Sequence, residues 1–262
     1  MVDNYFDMTK NSDSFVRYQG IHLLSLHGSL DHRLLPTLIE LLADPVWTVR
    51  SNAVKALAKL GSGDPAVFDV ISSHLGDTTT AMGITVRNAI KGMIISGFPI
   101  ANKQVDQICT FINDSRSEVR FSVISILKEI CFSTFHSVDV IIAGLSDISQ
   151  RVSLESIAAV RVTPDTYDRA VPILASLLNS QSSAVSFAAA WALGALGNKA
   201  RPAISELLNL LPMNEIHHKF AVIYAIARID INSIDTPATL FLQSMLTSGN
   251  ADYARIAKKV LD

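Results

Sequence analysis

The sequence predicts an all-α fold, an α-solenoid of about eight helical-hairpin repeats, on three observations. A pattern of Val, a small or apolar residue four on, and Leu or its like eight on recurs along the chain. Its anchors are Val16, Val49, Val86, Val119, Val152, Val185, His218 and Tyr253, so the steps are 33, 37, 33, 33, 33, 33 and 35 residues. A fixed period of between about 20 and 50 residues marks a repeat array. Each period also holds two apolar segments of helical spacing, and none shows the two-residue alternation of a half-exposed strand.

The first segment of each period is shorter. Examples are LLPTLIELLAD at 34–44, VDQICTFIND at 105–114, VDVIIAGLSD at 138–147, AVPILASLLNS at 170–180 and RPAISELLNLL at 201–211. Pro36, Pro172 and Pro202 fall near their starts, where a missing backbone N–H costs least. Asp44, Asp114 and Asp147 each stand five residues before an anchor. They are expected to accept hydrogen bonds from free N–H groups opening the second helix. Gly28, Gly61 and Gly197 each lie twelve past an anchor, where a left-handed helix stop favours glycine.

The 37-residue step implies four extra residues, and GDTTTAMG at 76–83 reads as a lengthened loop. The first unit has few residues before Val16, which suggests a half-repeat or a docking edge. The last ends in ARIAKKVLD, suited to a polar cap. No composition shift marks a linker, so residues 1–262 are expected to form one continuous domain.

The stretch DPVWTVRSNAVKALAKLG at 44–61, preceded by Leu41 and Leu42, resembles a HEAT repeat. The likeness is to the short bacterial type of phycobilisome-lyase-like proteins, and similar patterns cover almost the whole chain. Ser153, Ser186 and Ala254 stand where Arg follows the anchor in earlier units, so those units are expected to lack the family's Asp–Arg ladder. Arg17, Arg50, Arg87 and Arg120 are expected to pair with acids such as Asp44 and Asp114 and tie repeats together. A row of anion sites is the alternative.

Hairpins of this kind bury their apolar stripes by stacking. With helix axes roughly 8–10 Å apart, eight units would make a curved rod of roughly 70 Å. The anchor, +4, +8 and +11 positions should face the core. The +2 and +6 positions should point away, onto the concave surface that the resemblance implies. There the +2 row reads Tyr18, Ser51, Asn88, Phe121, Leu154, Phe187, Phe220. The +6 row reads His22, Lys55, Gly92, Ser125, Ala158, Trp191, Tyr224. Phe121, Leu154, Phe187, Trp191, Phe220 and Tyr224 are therefore the candidate partner-binding residues of repeats 4–7. Alternatively they pack on one another between adjacent second helices. Contiguous exposed apolar surface marks interaction sites, and Trp and Tyr are enriched at binding hot spots.

Composition narrows the function. The net charge is -2 and the cations are spread out, against the basic stripe of a dedicated nucleic-acid surface. No apolar run approaches the roughly 18 residues of a membrane span. The first residues, MVDNYFDMTKNSDSF, lack a basic segment followed by an apolar block, so no secretory signal is expected. Cys109 and Cys131 make no metal spacing or disulfide framework. Reduced buried thiols in the cytoplasm are the expectation.

Neither GxxxxGK[ST], HExxH nor GxSxG occurs. The adjacent pair His217 and His218 would point in different directions on a helix. The His-Glu pairs of the HEAT-repeat deoxyhypusine hydroxylases are missing, and no cofactor is expected. The leading reading is a non-catalytic protein-binding scaffold: an adaptor, chaperone or inhibitor gripping another protein or peptide. The alternative implied by resemblance is a bilin-lyase-like chromophore-handling protein, although neither cysteine falls on the groove rows. A third is similar to HEAT-like DNA glycosylases, with Lys55, Lys128 and Arg161 as its few basic residues.

Overall fold

The structure is a computed structural model. It describes residues 2–27, 33–61, 63–77, 79–130, 134–212, 215–234 and 236–261. These form α-helices and short 3-10 turns, with no β-strand among them. The fold is an all-α, HEAT-like solenoid. The chain divides into two compact units, residues 1–137 and 138–262.

The first unit runs α1 (Val2–Thr9), α2 (Ser14–His27), α3 (Leu34–Glu40), α4 (Trp47–Leu60), α5 (Pro65–Ser73), α6 (Thr80–Ile95), α7 (Asn102–Cys109) and α8 (Ser117–Leu127). Even-numbered helices are the anchored ones, and they pack on one another in series: α2 on α4, α4 on α6, α6 on α8. Most of their predicted inward positions are sealed, although Val16, Leu60 and Ile94 are only half-buried. Val49, Ala53 and Leu57 of α4 and Val86 and Ile90 of α6 have no exposed surface. Each buried Val, Leu or Ile among these contributes about 1.5–3 kcal/mol by leaving water.

The first hairpin is complete, because α1 supplies its first helix. Gly20 makes this possible. A Cβ there would lie 2.9 Å from the Met8 Cβ and 3.0 Å from backbone atoms of Thr9 and Tyr5. Its small size lets α1 close onto α2.

The 37-residue step does not make a long loop. Helix α6 begins six residues before its anchor Val86, whereas α4 begins two residues before Val49. The four extra residues are thus one added helical turn, since an α-helix takes about 3.6 residues per turn. Thr79 caps it, its hydroxyl accepting from the Met82 N–H at 3.3 Å. Asp77, ahead of the addition, keeps the repeat's spacing from Arg50.

The arginine ladder is present in this unit. Arg17 donates from both Nε and Nη2 to Asp44, at 2.6 and 2.9 Å. Arg50 does the same to Asp77, at 3.0 and 3.1 Å. Each pair joins positions 27 residues apart and so links consecutive repeats. Their side chains are only 5–12% exposed. Burial pushes the Asp44 and Asp77 carboxyls up. The arginine bonds, the Val46 and Thr79 N–H groups and the arginine charge outweigh it and hold both below the usual carboxylate range. Arg116 fills the corresponding place on Asp114 and also donates to the carbonyls of Gly76 and Asp77.

Three local expectations need correction. Asp44, Asp114 and Asp147 accept from the N–H two residues on, of Val46, Arg116 and Ser149. Those residues precede the helices, so the aspartates close a turn before the first helical N–H groups. Gly61 has φ of -107° and is no left-handed stop. Its role is packing, because a Cβ there would meet Val67 at 2.7 Å. Gly197 does adopt a positive φ of 57°. Pro172 lies inside its helix, which starts earlier, at Tyr167. Gly28 and Cys131 lie outside the described residues.

The second unit contains most of α9 (Phe135–Leu145), in which the division falls. It continues through α10 (Gln150–Val160), α11 (Tyr167–Leu177), α12 (Ser183–Leu196), α13 (Ile204–Asn209), α14 (Ile216–Ile229), α15 (Thr236–Met245) and α16 (Ala251–Leu261). After the anchors Val152 and Val185, serine replaces arginine. Ser153 Oγ donates to the Leu145 carbonyl at 2.8 Å, and Ser186 Oγ to the Leu178 carbonyl at 2.6 Å, both buried. A neutral bond within each hairpin thus takes the place of an ion pair between hairpins.

Candidate functional site

An aromatic seam forms where α12, α14 and α16 meet. Its backbone frame is set by small residues. Ala189, Ala190 and Ala192 are fully buried, and a Cβ on Gly194 would lie 3.0 Å from the Ala225 Cα. Helices α12 and α14 can therefore approach closely, and larger side chains fill the edge of the contact. The helix starts are fixed by side chains. Ser182 accepts from the Val185 N–H, and Glu215 accepts from the His217 and His218 N–H groups.

Trp191 sits at the centre of the seam. Its ring lies 4.4 Å from that of Tyr224, 6.1 Å from Phe187 and 6.4 Å from Phe220, centroid to centroid. Phe187 also meets His218 edge-on at 5.8 Å. Phe220 stacks on Tyr253 at 4.3 Å. Tilted and edge-on contacts of this kind stabilise by about 0.5–1.5 kcal/mol each beyond burial. His217 Nδ1 and the Tyr253 hydroxyl share a hydrogen bond, tying α14 to α16.

The six candidate residues separate. Phe187, Trp191 and Tyr224 are brought together and each keeps part of its surface open. Phe220 does not offer a surface. It has no exposure and belongs to a core cluster with Ile223, Leu242 and Met245, because α15 and α16 close over it. Leu154 is half-buried on α10. Phe121 lies in the first unit, where the Arg87 guanidinium stands 5.3 Å over its ring. The aromatic residues of α12 and α14 thus pack on one another, while Phe187, Trp191 and Tyr224 remain half-buried. Spacing did not reveal Tyr253 and His218 as members, since both occupy anchor positions. The one signal was that neither is aliphatic.

Polar atoms at this seam are incompletely satisfied. Among the described residues the Trp191 Nε1 and His218 Nε2 atoms are buried without a hydrogen-bond partner. Such a group costs about 1–3 kcal/mol. His218 Nδ1 bonds Glu215 at 2.6 Å. Burial pushes the Glu215 carboxyl up, but the His218 and His217 N–H groups and the His218 ring hold it below its ordinary value. Burial and the Glu215 charge raise the Tyr253 phenol.

Other chemistry is sparse. Among the described residues no cluster of three or more His, Cys, Asp or Glu could hold a metal ion. The Cys109 thiol is buried, and burial with the Asp106 charge pushes it up to about 12. It is therefore a protonated, unreactive thiol near neutrality. Among the described residues no helix is long and apolar enough to cross a membrane.

Comparison with known proteins agrees with this architecture. The HEAT repeats profile matches residues 6–94, the Armadillo/beta-catenin-like repeat profile 168–196, and the PBS lyase HEAT-like repeat profile 187–211. The crystal structure of an engineered protein aligns over 99% of this chain and 77% of its own, with a TM-score of 0.60 at 21% identity. The X-ray structure of YibA from Escherichia coli aligns over 99% and 90%, with a TM-score of 0.67 at 19% identity. No curated protein sequence matches the chain.

Proposed function

Because the chain belongs to the HEAT-repeat family, whose fold is a scaffold, we propose that it is a non-catalytic protein-binding scaffold. In this reading it is an adaptor, chaperone or inhibitor that holds a partner protein on the aromatic seam of its second unit. The observation that carries the reading is the part-open cluster of Phe187, Trp191 and Tyr224. Large rings held rigid by their neighbours lose little conformational freedom on binding, and each covers much apolar area.

The experiment is capture from a native lysate with wild-type chain and with Tyr224→Ala and Phe187→Ala variants. A single protein retained by the wild type and lost from both variants, with both variants still folded by circular dichroism, supports the reading. Equal retention by all three refutes it. Trp191 is a poorer probe, since it also packs against the core beside Phe220.

The PBS lyase HEAT-like match at 187–211 covers Phe187 and Trp191, which supports a second reading, a chromophore-handling protein. An apolar aromatic surface suits a tetrapyrrole. Mixing purified chain with a bilin and recording the visible spectrum tests it, and an unchanged spectrum removes it.

A further inference from the structure

A second surface, in the first unit, has different chemistry. A groove of about 590 Å³ runs along the seam of α4 and α6. Its apolar lining includes Ala58, Ala89 and Met93, and Ile84 adds a further exposed apolar side chain. Gly92 leaves it open, for a Cβ there would touch nothing within 4 Å. Lys55 and Lys59 line it one helical turn apart, both exposed, and among the described residues no carboxylate lines it.

The charge is uncompensated locally. Helices α2, α4 and α6 contain no Asp or Glu. Their other cations are engaged: Arg17 and Arg50 in the ladder, Lys91 on Glu129 at 2.8 Å, and Arg87 over Phe121. Lys55 and Lys59 make no ion pair among the described residues. By contrast, a groove of about 610 Å³ in the second unit mixes Lys199 with Asp168 and Glu206 and so selects no sign of charge.

We propose that the α4–α6 groove binds an acidic segment of a partner protein, with an apolar side chain seated against Ala58, Ala89 and Gly92 and carboxylates meeting Lys55 and Lys59. The lysines are four residues apart, about 6 Å along the helix axis. That matches carboxylates at i and i+4 of a helix or i and i+2 of an extended strand, about 6.5–7 Å. A peptide fits better than a nucleic acid. Two open cations, beside Thr85, Asn88 and Ser96, are few against the roughly 6–10 phosphate contacts of a salt-sensitive DNA binder. This inference is independent of the aromatic seam.

The test is selection of a randomised phage-displayed peptide library on the full chain, with the winning peptide then measured by fluorescence anisotropy. Enrichment of paired acidic residues flanking an apolar one is expected. Lys55→Glu/Lys59→Glu should weaken the peptide about tenfold, because it removes two ion pairs and sets like charges against the peptide's carboxylates. Gly92→Leu should block the groove while improving helix propensity, so its fold is preserved and its circular dichroism unchanged. Tyr224→Ala should bind as the wild type does, which separates this site from the seam. No enrichment of acidic peptides, equal binding by the reversed variant, or preference for a single-stranded DNA dodecamer over the peptide would each overturn the proposal.

Discussion

Replacing Asp44 with alanine removes one rung of the arginine ladder. Arg17 would lose two charge-assisted bonds, at 2.6 and 2.9 Å, while its side chain stays 12% exposed. Its Nη1 would keep the carbonyls of Asn11 and Ser12. The Val46 N–H would lose its acceptor as well. Removing one partner of a buried ion pair costs about 3–5 kcal/mol. The two retained carbonyl bonds place the expected loss at the lower end, about 3 kcal/mol. For a chain of this size each kcal/mol moves the melting temperature by about 2–4 °C, so a fall of about 6–12 °C is expected. Circular dichroism melts of wild type, Asp44→Ala, Arg17→Met and the double variant would measure it. The double variant should lose less than the sum of the singles, because no charge is left unpaired. A loss below about 1 kcal/mol, the scale of an exposed pair, would refute the view that this rung is a buried tie between repeats.

Further outcomes follow from other contacts. Gly20→Ala should destabilise although alanine favours helix by about 0.8–1 kcal/mol. The new Cβ meets Thr9 and Tyr5 backbone at 3.0 Å, and overpacking costs about 1–3 kcal/mol; a higher melting temperature would contradict the close fit of α1 on α2. Acid should weaken the first unit. Asp44, Asp77 and Asp114 titrate below their unfolded values, so their stabilisation is complete above about pH 4 and lost as pH falls through the folded values. Hydrogen exchange of α2 and α4 at pH 3 and pH 6 reads this, and equal protection at both would contradict it. We also propose that residues 1–262 unfold as one cooperative array. Two separated calorimetric transitions would overturn that.

The fold was legible because a solenoid repeats its instructions. The anchors Val49, Val86, Val119, Val152 and Val185 are each sealed, with Val16 half-buried, and the step between them needs no long-range information to read. The pairing of Arg17 and Arg50 was legible too, since a fork that close to the core needs a carboxylate. Local geometry was harder. The conformation of Gly61 depends on Val67 across a turn, and no spacing rule encodes that contact. The +2 and +6 rows were read as one outward face, yet Ser51 and Ser125 are 5% exposed and Phe220 is covered by α15 and α16. Helical angle gives a direction, whereas burial depends on what the next repeat places there. The α4–α6 groove was hidden for the same reason: Gly92 and Ala58 count as small residues in sequence and as open volume in space.

The added turn at the start of α6 bears on how this protein can change length. Four residues rotate a helix by about 400°, one revolution and about 40° more, so a deletion across 80–83 would return Val86 close to the same bearing. Losing two would swing the helix by about 200° and present Asn88 and Gly92 where Val86 and Ile90 now lie. Tolerated insertions and deletions in this hairpin should therefore come in whole revolutions, a quantum set by the phase of the helix and blind to which amino acids are gained or lost.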